Sequence, residues 1–266
     1  DISCSYALLG EKDSALVWLE KALELGLYFF SDDEDLSSLY SEPRYKELEA
    51  EGARRIAELG SREWKPVVDL PETYAPGKKY PAVIGLHGFG GNPEDFSKVL
   101  SLAATDRGYI FCCPYGPEIR GLTSFGWGDC ADAQERIFAA VKYLGENHEI
   151  DTARIILLGY SQGGRMAFCT GLKNGDRFSG LIMVAGQACG EAGAYVDDPD
   201  AKKMSVYMMI GEEDYSVESN RTAERLMKEK GMSVKLVVYP DLGHAFPPDP
   251  GTEIGKALDW LEKTAQ

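Results

Sequence analysis

Two textures divide the chain. From Tyr6 to about Leu59, apolar residues recur every three or four positions: Ala15, Leu16, Leu19, Ala22 and Leu23 share one helical stripe, and Gly26 follows as a stop signal. A further helix is expected from Ser41-Glu42-Pro43 to Leu59, with the proline in a first turn where its missing N–H is no loss. After Trp64, compact apolar runs alternate with amphipathic stretches, which predicts a mostly parallel sheet with helices on both faces. The expected strands are Val67–Leu70, Ala82–Leu86, Tyr109–Cys113, Arg154–Leu158, Gly180–Val184, Ser205–Ile210 and Val234–Tyr239. The expected helices are Ala131–Asn147, Gly163–Leu172, Val217–Lys230 and Glu253–Lys263. The change of texture puts a small helical segment at residues 1–62 and an α/β domain at 63–266.

Within the helical segment, Tyr6, Gly10, Ala15, Leu19 and Ala22 fall at the offsets of a tetratricopeptide repeat, where small residues let the two helices of a hairpin pack closely. The stretch resembles one such repeat, entered part-way through its first helix. One repeat cannot bury its own apolar face, so the segment is expected either to cap the α/β domain or to receive a protein partner.

Charge narrows the function classes. Lys and Arg number 28 against 43 Asp and Glu, a formal net charge of −15, which repels a phosphate backbone and argues against nucleic acid as a partner. The acidic run from Asp32 to Asp35 reads as a solvated turn. No apolar run approaches the ~20 residues needed to span a bilayer. Six cysteines include no CxxC pair, and adjacent Cys112 and Cys113 suit neither an ordinary disulfide nor a zinc site. Most are expected to be small buried apolar residues, with a Cys130–Cys189 pair as the alternative in an oxidising compartment. Asp1 follows neither Met nor a basic-then-apolar leader, which fits a processed mature chain or a trimmed one and leaves the compartment open.

Candidate chemistry concentrates in the second region, where binding loops gather beyond the carboxyl ends of the strands. Gly159-Tyr160-Ser161-Gln162-Gly163 follows Arg154–Leu158 and precedes an expected helix, so a GxSxG pattern stands in the strand–turn–helix context of a nucleophile elbow. The following helix directs its first N–H groups toward developing negative charge. A serine hydroxyl needs a base to take its proton, and there are three histidines. His148 ends an expected helix, and His87 lies in a glycine-rich loop after an early strand. His244, in Asp241-Leu242-Gly243-His244, follows the last strand at the edge where Ser161 projects, and is the expected base. Asp214, in Gly211-Glu212-Glu213-Asp214 after Ser205–Ile210, is the expected acid that orients the imidazole, with Glu213 and Asp241 as rivals.

His87-Gly88-Phe89-Gly90-Gly91, GYSQGG from Gly159, GEED from Gly211 and GHAF from Gly243 together resemble the phospholipase/carboxylesterase branch of the α/β-hydrolases, related to dienelactone hydrolase, over roughly residues 66–264. The resemblance implies an α/β-hydrolase fold and hydrolysis of carboxylic esters or thioesters with no cofactor. It assigns Ser161, Asp214 and His244 to a triad, and the backbone N–H groups of Phe89 and Gln162 to an oxyanion hole. No HExxH or clustered cysteine pattern suggests a metal. Phe125, Trp127 and Phe246 are candidates for an apolar wall around a small-molecule ester, while Asp197, Asp198 and Asp200, in the short polar loop from Gln187 to Lys203, discourage anions nearby. A peptidase on the same triad and a binding protein acting through the helical segment are the rival readings.

Overall fold

The computed structural model describes residues 2–28, 30, 33–188, 190 and 192–264, without the side chains of Ala192 and Ala194. In chain order the elements are α1 (Ile2–Leu8), α2 (Lys12–Glu24), α3 (Pro43–Gly60), β1 (Val67–Asp69), β2 (Tyr80–Leu86), α4 (Pro93–Thr105), β3 (Ile110–Cys113), β4 (Glu118–Ile119) and β5 (Phe125–Gly126). They continue with α5 (Cys130–Asn147), β6 (Ile150–Tyr160), α6 (Gln162–Lys173), β7 (Gly180–Val184), a short α7 (Ala192–Tyr195), β8 (Ser205–Gly211), α8 (Val217–Glu229), β9 (Val234–Tyr239) and α9 (Pro250–Thr264).

The chain forms two compact units. The first comprises Asp1–Glu63 together with Glu118–Gly126, and the second comprises Trp64–Pro117 and Trp127–Gln266. In the first unit α1 and α2 make a hairpin, and the stripe read from the sequence is its inner face: Ala15, Leu19 and Leu23 are buried. The later segment returns to the loop after α2. Tyr28 N–H donates to the Arg120 carbonyl and Leu122 N–H to the Gly26 carbonyl, each at 2.8 Å, and β4 pairs with β5 as an antiparallel ribbon. Helical periodicity in residues 1–62 could not announce this return.

The second unit is built on a seven-stranded sheet of order β1-β3-β2-β6-β7-β8-β9, parallel except for the antiparallel edge strand β1. Strands buried on both faces read as unbroken apolar runs, and β2 and β8 are buried at every position. Their side chains alternate between two cores. Ala82, Ile84, Leu86, Leu181 and Met183 meet α5, α6 and α8 on one face, whereas Val83, Ile182 and Val184 meet α4 and α9 on the other. From β2 the chain runs outward to β3, returns to place β6 on the other side of β2, and then proceeds through β7, β8 and β9. The sheet order therefore reverses between β2 and β6, the kind of switch point beyond whose strand ends open α/β sheets place their ligand sites.

Two sequence expectations need correction. Helix α4 was not among those expected, because its buried stripe of Phe96, Leu100, Ala103 and Ala104 also contains Ser97 and Ser101 and so blurs the apolar period. Asn92 caps this helix by accepting the Asp95 N–H, and Pro93 opens it. The cysteine pairing also differs: Cys130 is joined to Cys169 with Cα atoms 6.4 Å apart, linking the first residue of α5 to α6, while Cys189 lies outside the described residues. Spacing along the chain carried no sign that these two helices pack side by side. Cys112 and Cys113 are buried free thiols, and the buried Cys4 thiol donates to Asp33 Oδ2 at 3.2 Å. Among the described residues, no helix is long and apolar enough to cross a membrane.

Candidate active site

Ser161 occupies the turn between β6 and α6 at φ +54°, ψ −119°, a backbone conformation that costs a side-chain-bearing residue energy and persists where its surroundings over-determine it. Here the surroundings are specific: the Ser161 N–H donates to the Val184 carbonyl of β7 at 2.9 Å, and the Ser161 carbonyl accepts from Arg165 N–H in the first turn of α6. A Cβ at Gly163 would lie 2.4 Å from both the Leu86 and His87 carbonyl oxygens, so glycine lets the start of α6 press against the end of β2. The same contact sets Gln162, first in α6, beside the loop that holds Phe89.

His244 and Asp214 are delivered by the loops after β9 and β8. A Cβ at Gly211 would lie 2.0 Å from the Leu242 carbonyl oxygen, and Glu213 N–H donates to that carbonyl at 2.9 Å, so the two loops run in direct contact. The result is a continuous polar line: Ser161 Oγ is 2.8 Å from His244 Nε2, and His244 Nδ1 is 2.7 Å from Asp214 Oδ2. Asp214 is only 2 % exposed, and its second oxygen accepts the Ser216 N–H at 2.8 Å. The sequence rivals Glu213 and Asp241 both sit exposed.

His87 is elsewhere in the architecture. It is buried, its Nδ1 lies 2.8 Å from the Gly88 carbonyl, and its Nε2 accepts the Gly116 N–H at 3.3 Å. That arrangement puts the hydrogen on Nδ1, and burial pushes the imidazole down to about 4, so the ring is neutral. His148 caps the end of α5, with Nδ1 3.4 Å from the Tyr74 hydroxyl.

The three expected aromatic wall residues separate. Phe246 is half-buried and stacked on Tyr160, ring centroids 4.0 Å apart. Phe125 and Trp127 have no exposed surface, so neither presents a face to a ligand. Trp127 does something the sequence did not reveal. Its indole Nε1–H donates to the His87 carbonyl at 2.8 Å, and its backbone N–H donates to Gln162 Oε1 at 3.2 Å. One buried residue thereby ties the loop before Phe89 to the residue after Ser161. Phe89 itself is 57 % exposed in that loop.

Elsewhere, a cavity of about 700 Å³ lies at the opposite ends of β6 and β7, beside Arg154 and Phe178, and includes none of these residues. Among the described residues, Cys4, Asp33 and Asp35 have ligand atoms close enough to hold a metal. Burial and then the hydrogen bond to Asp33 push the Cys4 thiol up.

Known proteins resemble this chain in sequence and in fold. The chain is 28 % identical over 172 residues to acyl-protein thioesterase 1 of Gibberella zeae, covering 54 % of this chain and 73 % of that one. With acyl-protein thioesterase 1 homolog 1 of Dictyostelium discoideum it shares 25 % over 206 residues, covering 68 % and 89 %. The crystal structure of esterase PE8 superposes with a TM-score of 0.63 at 20 % identity, over 75 % of this chain and all of that one. An uncharacterized protein from Bacillus cereus superposes with the same score at 21 % identity, over 98 % of this chain and 85 % of its own length. The dienelactone hydrolase family matches residues 70–257, which take in β2 through most of α9 and every residue of the polar line from Ser161 to Asp214. A match of that extent, over a sheet of this order, establishes that the chain belongs to the dienelactone hydrolase family and is a carboxylic ester hydrolase.

Proposed function

We propose that the chain is a serine esterase that cleaves carboxylic esters and thioesters through an acyl-enzyme at Ser161. The observation that carries this reading is the unbroken line from Ser161 Oγ through His244 to the buried Asp214, at 2.8 and 2.7 Å. Ser161 Oγ attacks the substrate carbonyl carbon as His244 Nε2 takes its proton, and Asp214 stays ionised, fixing the imidazole tautomer and stabilising the imidazolium. The backbone N–H groups of Phe89 and Gln162 receive the oxyanion; Gln162 is suited to this because the first N–H groups of a helix lack intrahelical acceptors. Collapse of the tetrahedral species breaks the carbonyl carbon's bond to the leaving oxygen or sulfur, which receives the proton from His244. Water, deprotonated by His244, then releases the acid and restores Ser161. The thioesterase names of the sequence relatives support including thioesters, and Phe246, stacked on Tyr160, is the candidate apolar wall.

The test is hydrolysis of p-nitrophenyl esters of increasing acyl length, and of an acyl thioester, by wild type beside Ser161→Ala. Turnover by wild type that the variant loses is the expected result. Equal rates in the two proteins, or no turnover of any ester, would overturn the reading.

A further inference from the structure

His244 stands on an irregular loop between Asp241, at φ +55°, and α9, so no helix or strand restricts its side chain. Its ring nitrogens are held at 2.7 and 2.8 Å by Asp214 and Ser161. Two hydrogen bonds at separate nitrogens fix the line that joins the partners, and rotation of the ring plane about that line is what they restrain least. A contact on the ring face supplies the missing restraint. The Tyr215 ring lies in that place, stacked on the imidazole with centroids 5.1 Å apart and planes 27° from parallel. A second ring, Tyr160, stands 5.9 Å away at 37° and is itself backed by Phe246.

Tyr215 is 78 % exposed, so burial does not account for where its ring rests. It is also the residue next to Asp214, whose second oxygen is fixed by the Ser216 N–H. The short turn that anchors the carboxylate therefore carries the aromatic ring as well, so the partner of His244 Nδ1 and the ring on its face come from adjacent residues.

We propose that Tyr215 is a positioning residue for His244, its ring holding the imidazole plane so that Nε2 meets Ser161 Oγ. The role rests on His244 acting as the general base. It belongs to the ring and not to the hydroxyl, so phenylalanine fulfils it and alanine does not.

Wild type, Tyr215→Ala and Tyr215→Phe are compared by kcat and KM on p-nitrophenyl butyrate, and by the proton NMR resonance of the His244 Nδ1–H, assigned by its loss in His244→Ala. The alanine variant is expected to lower kcat roughly tenfold, because a base slightly out of place costs rate and not ground-state binding, with KM within about twofold. Its Nδ1–H resonance shifts or broadens, and Tyr215→Phe returns both readouts to wild type. An unmoved resonance in Tyr215→Ala overturns the proposal, as does a phenylalanine variant as impaired as alanine or an effect confined to KM. If wild type cleaves no ester, the esterase reading fails by itself and the resonance alone decides: moved by alanine and restored by phenylalanine, it still supports the ring contact.

Discussion

At the scale of single residues, Asp214 and His87 show how position assigns opposite duties to ionisable groups. Asp214 is a buried acceptor facing His244 Nδ1. Asp214→Asn removes the charge and can present an N–H where the imidazole needs an acceptor. It is expected to lower kcat by about 10³–10⁴, with a urea midpoint little changed, measured on a p-nitrophenyl ester. His87 is instead neutral, held by burial at about 4 when the free imidazole titrates near ~6.5. The folded value is the lower one, so its contribution is fully present above about 6.5, declines as pH falls toward about 4, and is level below that. The loss amounts to about 3 kcal/mol. Urea unfolding at pH 7, 5.5 and 4 should show wild type losing that much more stability than His87→Asn; equal losses would dismiss the assignment. Ser161, His244 and Asp214 were legible as candidates because each follows a recognisable apolar strand in a fixed chain order. Trp127 was not, since nothing in a tryptophan's neighbours along the chain tells whether its face meets substrate or its N–H groups brace two loops.

Between elements, the site depends on approaches that only glycine allows. Gly211 lets the loops carrying Asp214 and His244 touch, with no room for a methyl group before the Leu242 carbonyl. Gly211→Ala is expected to cost about 1–3 kcal/mol in a urea titration, as overpacking does, and to reduce kcat by moving His244 away from Ser161. A second link between elements is the Cys130–Cys169 bond, which ties α5 to α6 across 39 residues. Closing a loop of that length restricts the unfolded chain by an amount worth about 4 kcal/mol on the entropic account. Dithiothreitol should therefore lower the melting temperature by several degrees, an effect absent in Cys169→Ser. The sequence could not pair these cysteines, because pairing depends on which helices share a sheet face and not on spacing. For the same reason the parallel sheet was readable from apolar runs, while α4, whose buried stripe carries two serines, was not.

For the whole molecule, the change of period near residue 62 was legible, but the return of residues 118–126 to the helical unit was not, since it rests on backbone hydrogen bonds between segments far apart in the chain and on Gly121, where a Cβ would lie 2.1 Å from the Gly26 carbonyl oxygen. That return has a consequence in time. On a ribosome, α1, α2 and α3 are complete before β1, β2, α4 and β3 have been made, and the ribbon that pairs with the Gly26–Tyr28 backbone follows only afterwards. At ~5–20 residues per second the interval is on the order of several seconds, during which those backbone groups face water or chaperone. The helical unit thus closes only once this later segment has been made, though still ahead of the second unit, which awaits α5 through α9, and a nascent chain stalled before residue 118 would carry a helical unit still lacking its final strand pair.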